Sequence, residues 1–211
     1  MIRKAIAAKA RPRLPAQKAG YHHTDLRRAL LDAAIVHLRN GDVTALTMQT
    51  LARAAGVSPG APYHHFPDKV AVVAALATEG YEIWLERAKR SVAQATTPRE
   101  RLIALARGWL RFAAAFPSHY RVMFLRDIED RARYATLHET SGAGLQLLVE
   151  VVAEVWPDLT PSGAMAQAVA TWSTLHGFAS LQNAGVLVNI PRLPSVATLE
   201  AAAIALLLPA P

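Results

Sequence analysis

Gly56-Val57-Ser58-Pro59-Gly60 matches the G-x-S-x-G pattern, in which a sharp strand-to-helix turn presents a serine as a hydrolytic nucleophile. That chemistry needs a strand ahead of the serine. Here the helix-forming run Leu51-Ala52-Arg53-Ala54-Ala55 precedes it, and no parallel-strand sequence occurs in the chain. Ser58 is therefore read as a helix N-cap, and a Ser58-based hydrolase is the weaker alternative. The histidines offer no better constellation. His22-His23 and His64-His65 are adjacent pairs, and adjacent residues do not face one another on a helix. There is no His-Glu-x-x-His run, no carboxylate–His spacing and no cysteine, so neither a metal nor a cofactor is expected. His22, His23 and His64 suit solvent or a phosphate; His65 suits internal packing or capping.

The charge distribution points to a polyanion instead. The 211 residues carry a formal net charge of +7. Residues 1–70 hold 11 basic and 4 acidic side chains, whereas residues 71–211 hold 12 of each. Within the first third, residues 21–70 contribute five basic and four acidic groups, so nearly all the excess lies in residues 1–20. That segment (Arg3, Lys4, Lys9, Arg11, Arg13, Lys18) is read as a flexible cationic arm, suited to tethering on a minor groove or phosphate backbone. It lacks the continuous apolar stretch of a secretory signal. With 52% hydrophobic residues the remainder can bury a core, and the absence of cysteine suits a reducing cytoplasm. Residues 159–191 carry no charge, but Pro161, Gln167, Thr171, Ser173, His176, Gln182 and Asn183 make them too polar for a membrane span. A helix covered by protein is expected there, and no membrane partner.

Ala makes up 42 residues and strand patterning is absent, which predicts an all-α chain of about nine helices. The first runs from about Thr24 to Asn40 and is closed by Gly41. Thr47 caps a short second helix, and Ser58 with Pro59 opens a third that ends at Phe66-Pro67. Asp68 caps a long helix to about Ala95. Thr97-Pro98-Arg99-Glu100 is a capping box with proline at the first helical position. Pro117 opens a short helix, another spans about 130–155, Thr160-Pro161 starts one to about 184, and Ser195 starts the last. The domains expected are an arm (1–20), a three-helix unit (21–68) and a larger helical bundle (69–211).

Residues 47–66 read as a capped helix, a glycine turn and a second capped helix: a helix-turn-helix, whose second helix enters the major groove. Thr47 and Ser58 offer hydroxyls to phosphates, Gly60 and Ala61 permit close approach, and Tyr63 and His64 are amphipathic donors. Lys69 opposes the dipole of the helix it opens, so an external phosphate accounts for its presence. The string Leu30…Ala33-Ala34…Gly41…Leu46-Thr47…Leu51-Ala52…Ala55-Gly56-Val57-Ser58…Gly60…Tyr63…His65-Phe66…Lys69 resembles the N-terminal domain of TetR-type (tetracycline-repressor-like) bacterial transcriptional regulators. Trp172…His176-Gly177 resembles the Trp-His-Gly signature of one subgroup of their effector domains. The resemblance implies a homodimer that binds a palindromic double-stranded DNA operator and is released, or occasionally recruited, by a small molecule. The DNA-contacting set expected is Arg27, Thr47, Ser58, Pro59, Gly60, Ala61, Tyr63, His64 and Lys69. Two positions depart from the family pattern: Ala61 stands where threonine is usual, and Pro62 where an unbranched apolar residue is usual. The lost hydroxyl shifts base reading toward Tyr63 and His64.

For an effector, Trp84, Trp109, Phe112, Tyr120, Met123, Phe124, Trp172 and His176 are candidate pocket residues, consistent with a small apolar or aromatic ligand. Aromatics at helical spacing are more often plain core, and His176, four residues after Trp172, is more often a satisfied core histidine. Arg107, Arg111 and Arg121 are either selectors of a carboxylate or surface charges. The helices at 161–184 and 195–208 share one charge, Glu200, which favours pairing across a two-fold axis over a monomeric core. A DNA binder without effector control is the other alternative.

Overall fold

Helix caps organise the chain. The computed structural model describes residues 23–40, 43–130 and 132–208 and contains, among them, eight α-helices and no strand. The helices are α1 (His23–Asn40), α2 (Met48–Ala54), α3 (Lys69–Gln94), α4 (Pro98–Ala115), α5 (Pro117–Val122), α6 (Ala135–Val155), α7 (Pro161–Asn183) and α8 (Val196–Ala205). The expected arm, His22 and Gly41 lie outside the described residues. Thr47, Asp68, Thr97, Thr160 and Ser195 each accept a hydrogen bond from a backbone N–H in the first turn of the helix they precede, satisfying a donor that the helix leaves orphaned. At Thr97 the capping box is complete, with Glu100 Oε2 accepting from the Thr97 N–H at 3.1 Å. Three hydrogen bonds from Thr96 and Thr97 hold the Glu100 carboxyl below its usual range.

Two helices end in the same way. Gly56 at φ +70° follows α2, with its N–H on Arg53 O and the Val57 N–H on Ala52 O. Gly185 at φ +69° follows α7, with the equivalent pair to Gln182 O and Leu181 O. Both are Schellman endings, and both use glycine where a Cβ would be strained.

The third of the nine expected helices is not an α-helix. Residues 59–60 form a turn, and Ala61–His64 make a single 3₁₀ turn with Gly60, not Ser58, in the capping position. The bonds run Ala61 N–H to Ser58 O, Tyr63 N–H to Gly60 O and His65 N–H to Pro62 O. Pro62 has no N–H to give to Ser58, so the α-helical ladder cannot form and the tighter i→i+3 pattern takes its place. The helix before Val155 likewise starts later than expected, at Ala135, because Asp130 Oδ1 takes the N–H groups of Ala132 and Arg133 into a turn.

One core joins the two units. α3 packs against α1, α4, α5 and α6, while α7 packs against α4, α6 and α8. Leu30, Ala34, Leu38, Leu46, Leu51 and Phe66 close the small N-terminal unit on Val72 and Leu76 of α3. α5 lies close to α3 at Gly80, where an added Cβ would sit 2.9 Å from Met123 Sδ. Among the described residues no helix is long and apolar enough to cross a membrane.

Candidate nucleic-acid interface and effector cavity

The candidate reading surface is assembled by α2, its glycine ending and the 3₁₀ turn. Tyr63 is 56% exposed although it is aromatic, because Pro62, the residue before it, turns inward and is buried. Ser58, Pro59, Gly60 and His64 are exposed beside it, and Ala61 is half-buried. No atom lies within 4 Å of a Cβ built on Gly60, so its surface faces open space. Thr47 is exposed, but its hydroxyl is already used: it accepts from the Thr50 N–H at 3.1 Å and lies 3.2 Å from Thr50 Oγ1. Its contribution is to fix α2 more than to donate outward. Arg27 of α1 lies over the Phe66 ring at 5.2 Å, which ties an exposed cation to the end of the reading segment. Lys69 opens α3 beside Asp68. The Asp68 carboxyl accepts from the Ala71 N–H at 2.9 Å and pairs with Arg133; the Arg133 bond is the main cause of its lowered pKa.

Above this surface, α1 is clasped to the body. Arg28 of α1 bonds Glu79 of α3 and Asp32 of its own helix, each at 2.7 Å. The other Glu79 oxygen lies 3.3 Å from His119 Nε2 on α5. Ser118 Oγ and Arg121 Nη1 donate to the Ile35 and Leu38 carbonyls of α1, at 3.3 Å and 3.1 Å. Burial pushes the His119 imidazole below its ordinary range, against an opposing pull from Glu79. None of these residues except Arg121 was singled out from sequence, since ion pairs between helices far apart in the chain leave no periodic signal.

Between α3, α4, α6 and α7 the body forms a partly open cavity of about 240 Å³. Of the eight sequence-derived pocket residues, Trp84, Trp109 and Trp172 line it. Trp84 and Trp109 stand perpendicular at 5.1 Å between ring centroids. Met123 and Phe124 line a second cavity that shares Tyr81, His138 and Ser141 with the first. Phe112 is core, stacked on Phe116 at 5.6 Å. Tyr120 and His176 satisfy each other, with Tyr120 Oη 2.7 Å from His176 Nδ1 and the rings stacked, which is the internal reading of that histidine. Arg107 and Arg111 are exposed on α4, and neither they nor Arg121 lines this cavity.

Sequence reasoning missed the α6 wall: His138, Ser141, Gly142, Gly144 and Leu145, with Tyr81 opposite on α3. The signal was Gly142 and Gly144 inside a helix, each costing about 1 kcal/mol against alanine. Gly144 is buried, and a Cβ on it would lie 2.4 Å from Trp84 Cζ3. The glycine is what lets the indole lie against the α6 backbone. Burial drives the Tyr81 hydroxyl up to about 12, so it is neutral at physiological pH.

Residues 102–206 match the family model described as the tetracyclin repressor-like C-terminal domain, and residues 30–76 match that of bacterial regulatory proteins of the tetR family. The HTH-type transcriptional regulator BetI of Rhizobium meliloti (strain 1021) is 37% identical over 81 residues, an alignment covering 38% of this chain and only 40% of BetI. A solved structure of a protein of unknown function from Rhodococcus sp. RHA1 is 31% identical, with TM-score 0.71, over 90% of this chain and 97% of that one. A regulatory protein of the tetR family from Rhodococcus RHA1 shares the fold at 18% identity and TM-score 0.67, over 86% and 94% of the two chains.

Proposed function

Because this chain belongs to the TetR family of bacterial transcriptional regulators, we propose that it works in the cytoplasm as a homodimeric repressor released from a palindromic operator by a small, largely apolar or aromatic effector. The observation that carries this reading is that α3 belongs to both sites. Its first residue, Lys69, borders the reading surface, and Trp84, fifteen residues on, walls the cavity. At 1.5 Å rise per residue the two are about 22 Å apart along one rigid element. A ligand that displaces Trp84 tilts the helix that carries Lys69. Coupling of about 1–3 kcal/mol would change operator affinity roughly 5–150-fold.

In this reading Tyr63 and His64 address base edges, while Lys69, Ser58 and Arg27 hold phosphates. Ser58 acts in recognition, and the chain converts no substrate. The second copy docks on α7 and α8. The buried face of α7 is Ala164, Ala168, Thr171, Leu175 and Ala179, and its outer face carries Met165, Val169 and Leu181, each at least 40% exposed and with no charge among them. An uncharged outward face is the surface that a two-fold partner covers. Half-sites would then lie about 34 Å apart.

The test is a gel-shift assay on an operator selected from random DNA, with the double variant Tyr63→Ala/Lys69→Ala. Loss of the shift with the dimer intact by sedimentation supports the reading; wild-type binding by the variant refutes it.

A further inference from the structure

The chemistry of the cavity narrows its ligand, on the premise that the body binds an effector. Its walls are the faces and edges of Tyr81, Trp84, Trp109 and Trp172 with the aliphatic Leu105 and Leu148, and among the described residues no Asp, Glu, Lys or Arg lines it. A charged ligand would leave water without meeting a counter-charge, so burial there opposes its binding. Among the described lining residues His138 is the imidazole, and its Nε2 is buried without a partner. Size follows from volume. A dry cavity of roughly 150 Å³ holds benzene, so about 240 Å³ scales to about ten non-hydrogen atoms. Shape follows from three indoles: aromatic walls favour a flat ring system packed offset or edge-on. The cavity keeps this form because Gly144 has no Cβ to push Trp84 inward.

We propose that the cavity takes an uncharged, planar bicyclic ligand of about ten non-hydrogen atoms, which reaches it past Gly142. That glycine is exposed, lines the cavity, and has no atom within 4 Å of a Cβ built on it. A large side chain placed there fills the mouth without displacing protein, so Gly142→Phe closes the site and spares the fold. Gly142→Ala leaves it open.

The experiment is calorimetric titration of the full chain and both variants with indole and 2-naphthol, beside the anionic indole-3-carboxylate and the linear 1-nonanol, each protein also being melted thermally. The uncharged bicycles are expected to bind the wild type and Gly142→Ala at least about tenfold more tightly than the other two probes, a difference of about 1.4 kcal/mol. Gly142→Phe should melt no lower than the wild type and bind none of them. Equal or tighter binding of the carboxylate or the alcohol overturns the inference, as does indole binding by Gly142→Phe or no binding by any probe. Gel shifts with the same compounds separate the two claims. A bicycle that binds without releasing operator leaves the ligand class standing and removes the repressor mechanism. An alcohol that binds and releases does the reverse.

Discussion

The reading surface and the cavity stand at the two ends of the α3 segment from Lys69 to Trp84, and they are built on opposite plans. The first is a polar surface on backbone held by local bonds: the Thr47 cap, the Gly56 ending and the 3₁₀ turn, each closed within about six residues of chain. The second is an apolar space whose walls come from four helices, with the Trp84 and Trp109 indoles held by packing alone. Locally bonded backbone keeps its shape when neighbours move, whereas packed side chains around a void can repack into it. The difference teaches which end yields. In the proposed repressor a ligand would deform the cavity, α3 would carry the displacement, and the reading surface would move as a unit, restrained by the Arg28–Glu79 clasp.

The sharpest way to break this comparison is Gly144→Ala. The new methyl collides with Trp84 at 2.4 Å and drives the indole into the void. Overpacking of this kind costs about 1–3 kcal/mol, or roughly 2–4 °C of melting temperature per kcal/mol in a chain of this size. Here the indole swings into empty space and leaves the α3 backbone in place, whereas a ligand filling that space pushes on the helix. Effector binding should therefore be lost while operator affinity without ligand is retained. A parallel fall in operator affinity would mean that the two ends are not separable.

The converse variant is smaller in effect. Gly56→Ala meets no atom within 4 Å, so its cost is purely that of a left-handed alanine, about 1–2 kcal/mol. It should weaken operator binding by about tenfold, the equivalent of roughly 1.4 kcal/mol, and leave cavity binding untouched. Gly56→Asn should be milder, because asparagine visits that region more readily. Cavity binding that falls along with operator binding would place Gly56 in the common core.

This contrast also explains what could be read from sequence. Thr47, Gly56, Asp68, the Thr97–Glu100 box and Gly185 declare themselves because each acts on residues within one turn of itself. The all-α class and most helix limits follow from them. Of the two local misreadings, the α-helix opened by Ser58 came from weighing Pro59 at a helix start above the N–H that Pro62 lacks, and the early start of α6 from passing over the turn that Asp130 closes. The cavity was half legible: aromatics could be named, but which of them face a void depends on how α3, α4, α6 and α7 meet. Phe112 and Trp109 are three residues apart on α4, yet only Trp109 lines the space. Gly144 was overlooked because its role is defined by an indole sixty residues away.

The smallest expected effect lies at the junction between the two regions. Burial lowers the His119 pKa in the folded chain, while the unfolded chain titrates at the ordinary value of about 6.5. As pH falls through about 6.5 the unfolded state takes up the proton first, so stability declines from there down to the folded value and this group then adds no further slope. His176, lowered by the same cause, acts in the same direction, whereas Asp68, held low by Arg133, loses its contribution only in a more acidic range. The melting temperature should therefore drop by a few degrees (about 2–4 °C) between pH 7.5 and 5.5, and by less in His119→Gln. An identical drop in the variant would remove His119 from the account. A protonated His119 also competes with Arg28 for Glu79, the group that clasps α1 to α3. Acidification should then weaken ligand-driven release of operator more than it weakens ligand binding. If both change in proportion, the clasp holds the two units together without carrying the signal between them.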